Sequence, residues 1–244
     1  MSTPWATAPL VVALAAACGA GGSTDIESTL RFADRSDTEI ARMINAAVGA
    51  EMFQAQSEVD RFGDTFEADP CPTITISGNT ATVTGGCTTA DGVEIQGAAT
   101  VTNPWTWDQF EDELEFGADS RYELHGLSFT QAGFTRTYDG FIVRAGDFRS
   151  WDTDLTTDAF GVALRSDLYM SCSGSATSAT CTIGNSGLEL LGVGGARISG
   201  TQRLSDQRVV TELTLRGVDT LTVRVADNCV AWAISGTDRA MTCP

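Results

Sequence analysis

The stretch that decides the fold is Cys71-Pro72-Thr73-Ile74-Thr75-Ile76-Ser77-Gly78-Asn79-Thr80-Ala81-Thr82-Val83-Thr84-Gly85-Gly86-Cys87. Thr, Ile and Val recur on both sides of Ser77-Gly78-Asn79-Thr80, which predicts two strands, 73–77 and 80–84, joined by a tight turn. Opposed residues of a hairpin have a constant sum of positions, and Cys71 and Cys87 are centred on Asn79. A two-residue turn at Gly78-Asn79 sets Cys71 against residue 86, so a bulge at Gly85-Gly86 is expected to absorb the difference. The pattern recurs twice: Cys172 and Cys181 are centred between Ala176 and Thr177, and Cys229 and Cys243 on Gly236. Three nearest-neighbour pairs straddling three turn signals predict three cross-strand hairpin disulfides. Thiols 9 to 16 residues apart, without CxxC pairs or a nearby His, do not resemble zinc ligands.

Outward from this hairpin, short β runs follow one another. They are expected at 93–102, 122–130, 134–138, 141–144, 162–171, 179–183, 188–193, 196–204, 209–217, 221–226 and 230–234. Asp139-Gly140 and Gly184-Asn185-Ser186-Gly187 read as turns between them. Ahead of the strands, Ser36-Asp37-Thr38-Glu39 is a capping box. Ile40, Ile44, Val48, Met52, Ala55, Val59 and Phe62 then recur at helical spacing, predicting one amphipathic helix, loosened at Gly49 and ended by Gly63. With no second helical pattern, βαβ crossovers are not expected. The fold class is mainly β: an N-terminal amphipathic helix packed on an antiparallel β meander, as a barrel, half-barrel or sandwich, with local hairpin disulfides.

The N-terminus has a different character. Pro9 to Ala17 is apolar and too short to span a bilayer as a helix. Leu14-Ala15-Ala16-Ala17-Cys18, followed by Gly19-Ala20-Gly21-Gly22-Ser23, resembles the lipobox and flexible leader of a bacterial lipoprotein. It departs from that pattern in having no basic residue in 1–17 and in placing Leu14 one position early. The resemblance implies removal of residues 1–17, acylation of Cys18 and attachment to the cell envelope, with the outer membrane as the expected site on its periplasmic or surface face. The alternative is an ordinary secretory signal cut near Ala17 that leaves Cys18 as a thiol; both readings export the chain. Residues 18–35 are expected to form a flexible tether, and 36–244 a single β-rich domain with a leading helix.

Composition narrows the partners. The net charge is −17, and all fifteen basic residues are Arg. A strongly anionic surface repels phosphate backbones, so nucleic acid is not an expected partner. The absence of Lys removes Schiff-base and pyridoxal chemistry.

Candidate chemistry is sparse. His125 is the sole histidine, so a histidine-dependent hydrolase would have to use it, yet there is no Gly-x-Ser-x-Gly elbow. Glu111, Asp112, Glu113 and Glu115 form one acidic cluster; Asp152, Asp154 and Asp158 share a face if extended, with Asp147 near. These read as solvated acids, with Ca²⁺ binding or a carboxylate-pair glycosidase as the functional alternatives. Trp105, Trp107 and Phe110 are the candidate ligand-binding residues, because aromatic platforms beside acids suit sugars or a partner's apolar patch. Plugging one end of the sheet is their structural alternative.

No cofactor or metal is expected. The reading is an envelope lipoprotein acting as a non-catalytic binding or structural module. Its partners are the membrane, through the anchor, and an envelope protein, glycan or lipid. The alternatives are a lipid or acyl carrier with a cavity under Met43, Val48, Met52 and Val59, and a hydrolase using His125 or a carboxylate pair.

Overall fold

The computed structural model describes residues 25–64, 70–102, 105–108, 113–116, 119–145, 150–175, 178–205, 208–227 and 229–242. A single 3-10 turn at Phe32–Asp34 precedes α1 (Asp37–Ala47) and α2 (Ala50–Asp64). The strands are β1 (Thr73–Ser77), β2 (Thr80–Thr84), β3 (Cys87–Thr88), β4 (Glu94–Thr102), β5 (Trp105–Asp108), β6 (Glu113–Phe116), β7 (Ser120–Gln131) and β8 (Phe134–Ala145). They continue as β9 (Ser150–Ala159), β10 (Val162–Ser175), β11 (Ser178–Leu190), β12 (Gly194–Ser205), β13 (Arg208–Arg216), β14 (Thr220–Ala226), β15 (Cys229–Ile234) and β16 (Thr237–Thr242).

Fourteen strands form one antiparallel sheet in the order β1-β2-β4-β7-β8 and then consecutively to β16, with β3 paired to β4. β5 and β6 pair only with each other. The sheet is an open meander: β1 and β16 end it, and it does not close into a barrel. One face carries the core. Tyr122, Leu124, Tyr138, Ile142, Leu155, Leu164, Leu168, Leu213, Leu215 and Leu221 all point into it, alternating with outward polar residues.

The helical part is two helices rather than one. Ser36 and Glu39 close the expected capping box, with Ser36 Oγ accepting from Glu39 N and Glu39 Oε2 from Ser36 N. The apolar stripe continues past Gly49, but its φ of +80° breaks the chain into a helical hairpin. Ile40, Met43, Ala47, Met52, Ala55, Val59 and Phe62 all reach the core. Phe53 packs edge-on to Trp151 at 5.1 Å and Phe62 stacks on Phe129 at 5.9 Å, which seats α2 on β7 and β9.

Two expected turns are bulged strand instead. β8 runs unbroken through Asp139-Gly140, because the β7 register shifts between Leu124 and Leu127 and Asp139 Oδ1 accepts from Gly126 N at 2.5 Å. A Cβ at Gly140 would overlap the carbonyl oxygen of Asp154, and one at Gly97 that of Gly126. Gly97, Gly126 and Gly140 thus mark one line of close backbone approach across β4, β7, β8 and β9, where the sheet can bend. β11 likewise runs through Gly184–Gly187. Asn185 takes φ +51°, and buried Ser186 Oγ accepts from Tyr169 N at 2.9 Å, replacing the interrupted ladder.

The cystines bear on the opening hairpin. Cys172 and Cys181 face each other in the β10–β11 register and are bonded. Cys71 and Cys87 are bonded too, and the chain bends away at Gly85-Gly86 so that Cys87 pairs with β4 rather than with the hairpin's own first strand. Cys229 is disulfide-bonded, and Cys243 lies outside the described residues.

Residues 26–34, expected within the tether, are instead stitched to the sheet. Ile26, Leu30 and Phe32 are buried. Thr29 N and Leu30 N donate to Gly195 O at 2.9 and 2.8 Å, and Val218 N donates to Leu30 O at 2.7 Å. Asp219 accepts from Phe32 N at 2.6 Å and Ala33 N at 3.0 Å.

Candidate functional site

The residues singled out from sequence are scattered. Cys18, Phe110, Glu111, Asp112 and Asp147 lie outside the described residues. Trp105 and Trp107 sit two apart in β5, opposite Phe116 and Leu114 of β6, in a pairing separate from the main sheet among the described residues. Glu113 and Glu115 belong to β6. His125 is exposed beside the β7 bulge, opposite Ala98. Asp152, Asp154 and Asp158 share the outward face of β9. Burial lifts the Asp152 carboxyl above its ordinary range, Arg121 opposing and Asp154 adding to the shift. Asp154 pairs with Arg165 at 3.3 Å. Among the described residues no group of three or more His, Cys, Asp or Glu is placed to hold a metal ion.

Beneath the helices the interior is filled. Met43 and Val59 have 0% exposure and Met52 has 2%, so no water-sized void touches the first two. Val48 packs against the same core.

Buried charge is concentrated in one place. Arg42 of α1 forms an ion pair with Glu51 of α2, and Arg42 Nη2 donates to Thr157 Oγ1 of β9 at 3.2 Å. The pair ties the helical hairpin to the sheet. Close by, burial pushes the Tyr138 phenol above its ordinary range; Arg136 and Arg42 oppose the shift, and Glu51 and Glu58 add to it. Tyr122 is raised likewise, by burial first and then by Asp60. Burial thus favours the neutral form of both phenols.

The opposite, outward face of the last strands carries a feature with no linear signal. Two adjoining open grooves of about 660 and 650 Å³ cross β12 to β16 and share Glu212 and Arg224. Thr201, Ser205, Thr214, Thr222, Ala231 and Ala233 give a floor of small side chains, and Arg203, Arg208 and Arg239 line the sides. Arg224 pairs loosely with Glu212 at 3.6 Å and Arg208 with Asp227 at 4.0 Å; Arg203 has no ion pair among the described residues. The region's charge sets it apart. Residues 194–244 hold six Arg against five acids, net +1, whereas 1–193 hold nine against 27, net −18. Arg203, Arg208, Arg224 and Arg239, against Glu212 and Asp238, line the two grooves, which suits carboxylate-bearing groups.

Comparison with known proteins finds no family model, no curated protein and no solved structure that matches the chain.

Proposed function

We propose that this chain is an exported, non-catalytic binding module of the bacterial cell envelope, lipid-anchored through Cys18. The observation that carries the reading is the pair of cystines, Cys71–Cys87 and Cys172–Cys181, set across neighbouring strands. Structural disulfides persist in oxidising compartments, which is where a lipobox delivers a protein. The Arg-lined groove over β12 to β16 is the contact surface, and an acidic glycan is the ligand whose charge and hydroxyls suit that floor and those side chains. Filled packing around Met43 and Val59 favours this role over an acyl carrier.

The test is metabolic labelling of the full chain with a radioactive fatty acid in a bacterial host. Label in the membrane fraction that disappears in Cys18→Ser is the expected result. A secreted, unlabelled chain with Cys18 as a thiol or removed would refute the anchor.

A further inference from the structure

Strands β7 to β16 follow one another in the sheet, so alternate connections emerge at the same end. One end collects Ala132-Gly133, Phe160-Gly161, Leu191-Gly192-Val193, Gly217-Val218-Asp219 and Ser235-Gly236. Four of the six large apolar side chains exposed among the described residues sit on these tips: Phe160 at 67%, Val218 at 55%, Val193 at 48% and Leu191 at 40%. Asp219 is the one charged residue in the five turns, and its carboxylate is occupied by the N–H groups of Phe32 and Ala33. In a chain of charge −17 these tips concentrate exposed apolar side chains, although Arg31 and Asp34 of the leader and Asp91 ahead of β4 place exposed charges beside them.

Two further observations say what meets it. Phe160 holds φ +57° in a two-residue turn, a left-handed conformation that suits Asn or Gly and is unfavourable for a bulky residue. The ring is kept despite that local cost, tilted at 43° against Phe134 with centroids 4.2 Å apart and with the Arg42 guanidinium 5.9 Å from its centroid. The leader also leaves from this end. Thr29 and Leu30 are hydrogen-bonded beside the Leu191–Val193 and Gly217–Asp219 turns, and Asp25 pairs with Arg165 of β10 at 3.1 Å. Six residues lie between Cys18 and Asp25, a reach of at most about 25 Å.

We infer that this rim is a membrane-contacting surface: Phe160, Leu191, Val193 and Val218 rest in the interface of the bilayer that holds the acylated Cys18. The inference rests on the lipid anchor proposed above. Adjacent strands stand about 4.8 Å apart, so the β9–β10 and β13–β14 tips span roughly 20 Å, a broad footing rather than a point. Exposed charges of both signs flank the tips, at Glu27, Asp158, Arg216 and Asp238 and at the Arg31–Asp34 pair of the leader, which suits shallow contact with zwitterionic headgroups. The Arg-lined groove, on the solvent face of β12 to β16, is left open to the aqueous side.

The test uses the full, acylated protein in phosphatidylcholine vesicles with and without brominated acyl chains. Val218→Trp places a reporter on the rim, and Ser205→Trp places one at the other end as control. Brominated lipid is expected to remove the emission added by Val218→Trp and leave that of Ser205→Trp. Phe160→Asn with Val193→Ser should restore the Val218→Trp emission without unfolding the chain, since Asn suits the turn. Equal quenching of both reporters, or none, in protein whose mass shows an acylated Cys18 would overturn the rim contact and leave the anchor standing. A mass lacking the acyl groups would overturn the anchor, and this inference with it.

Discussion

The helix-backed strands β7 to β11 and the bare strands β12 to β16 solve the same packing problem by different means. Behind β7 to β11 the core includes a buried ion pair, Arg42–Glu51, and two buried phenols, Tyr122 and Tyr138. Across β12 to β15 it is mostly aliphatic, with Ile198, Leu213, Leu215, Leu221, Val223 and Ile234 buried, Trp232 packed partly buried against them, and Thr211 as the buried polar residue. Ladder hydrogen bonds already fix each strand's register, so aliphatic side chains suffice there. A helical hairpin has no ladder to the sheet, and an apolar stripe alone lets it slide. Arg42, bridging Glu51 and Thr157, supplies the direction that greasy packing lacks.

Breaking the buried pair should therefore cost most. Arg42→Ala or Glu51→Ala leaves an uncompensated buried charge and is expected to lose about 3–5 kcal/mol, read from urea unfolding. Arg42→Met with Glu51→Leu should recover most of that; failure to recover would show that the charges themselves hold the helices. Next in size is the Cys172–Cys181 crosslink near the seam between the two regions. Replacing both by Ser should cost about 3 kcal/mol on the loop-entropy model, and an unchanged urea midpoint would refute it.

Ser36→Ala removes the cap of α1 and should cost about 1 kcal/mol. The backbone N–H of Ser36 holds the Glu39 carboxyl below its ordinary range, with the Ser36 hydroxyl and Arg35 adding to it. A depressed folded-state value means stability that is present above the unfolded pKa and fades as pH falls through the folded one. Glu39→Gln should therefore flatten the acid limb of the stability curve. Smallest in stability is the bare region's surface: Arg203→Glu with Arg224→Glu should change it by no more than about 0.5 kcal/mol. The same variant should lose binding to polygalacturonate while dextran remains unbound by either form. Undiminished polygalacturonate binding would remove the groove from the proposed function.

What could be read from the chain was local. β1 and β2 have the predicted bounds because Thr, Ile and Val alternate against Gly78, whose φ of +58° makes the tight turn. The misreadings share one cause. Asp139-Gly140 and Gly184–Gly187 carry the residues of a turn, but positive φ and a missing Cβ serve a bulge equally well, and only the neighbouring strand decides which forms. β9 was missed because its inward side includes Thr153 and Thr157, which mute the apolar alternation of Trp151, Leu155 and Ala159. Ile26, Leu30 and Phe32 look like isolated apolar residues in a polar leader; Phe32 meets its partner Asp219 187 positions away. The groove depends on which strands become neighbours, and no single strand contains it.

The first strand of the sheet has a practical consequence. β1, Thr-Ile-Thr-Ile-Ser, has one row of backbone donors and acceptors with no strand partner among the described residues, shows Ile76 at 49% exposure and carries no charge to deter another chain. Concentrated stocks should thus associate slowly through it, and a single lysine at Thr75 would extend their storage life without touching any other part of the molecule.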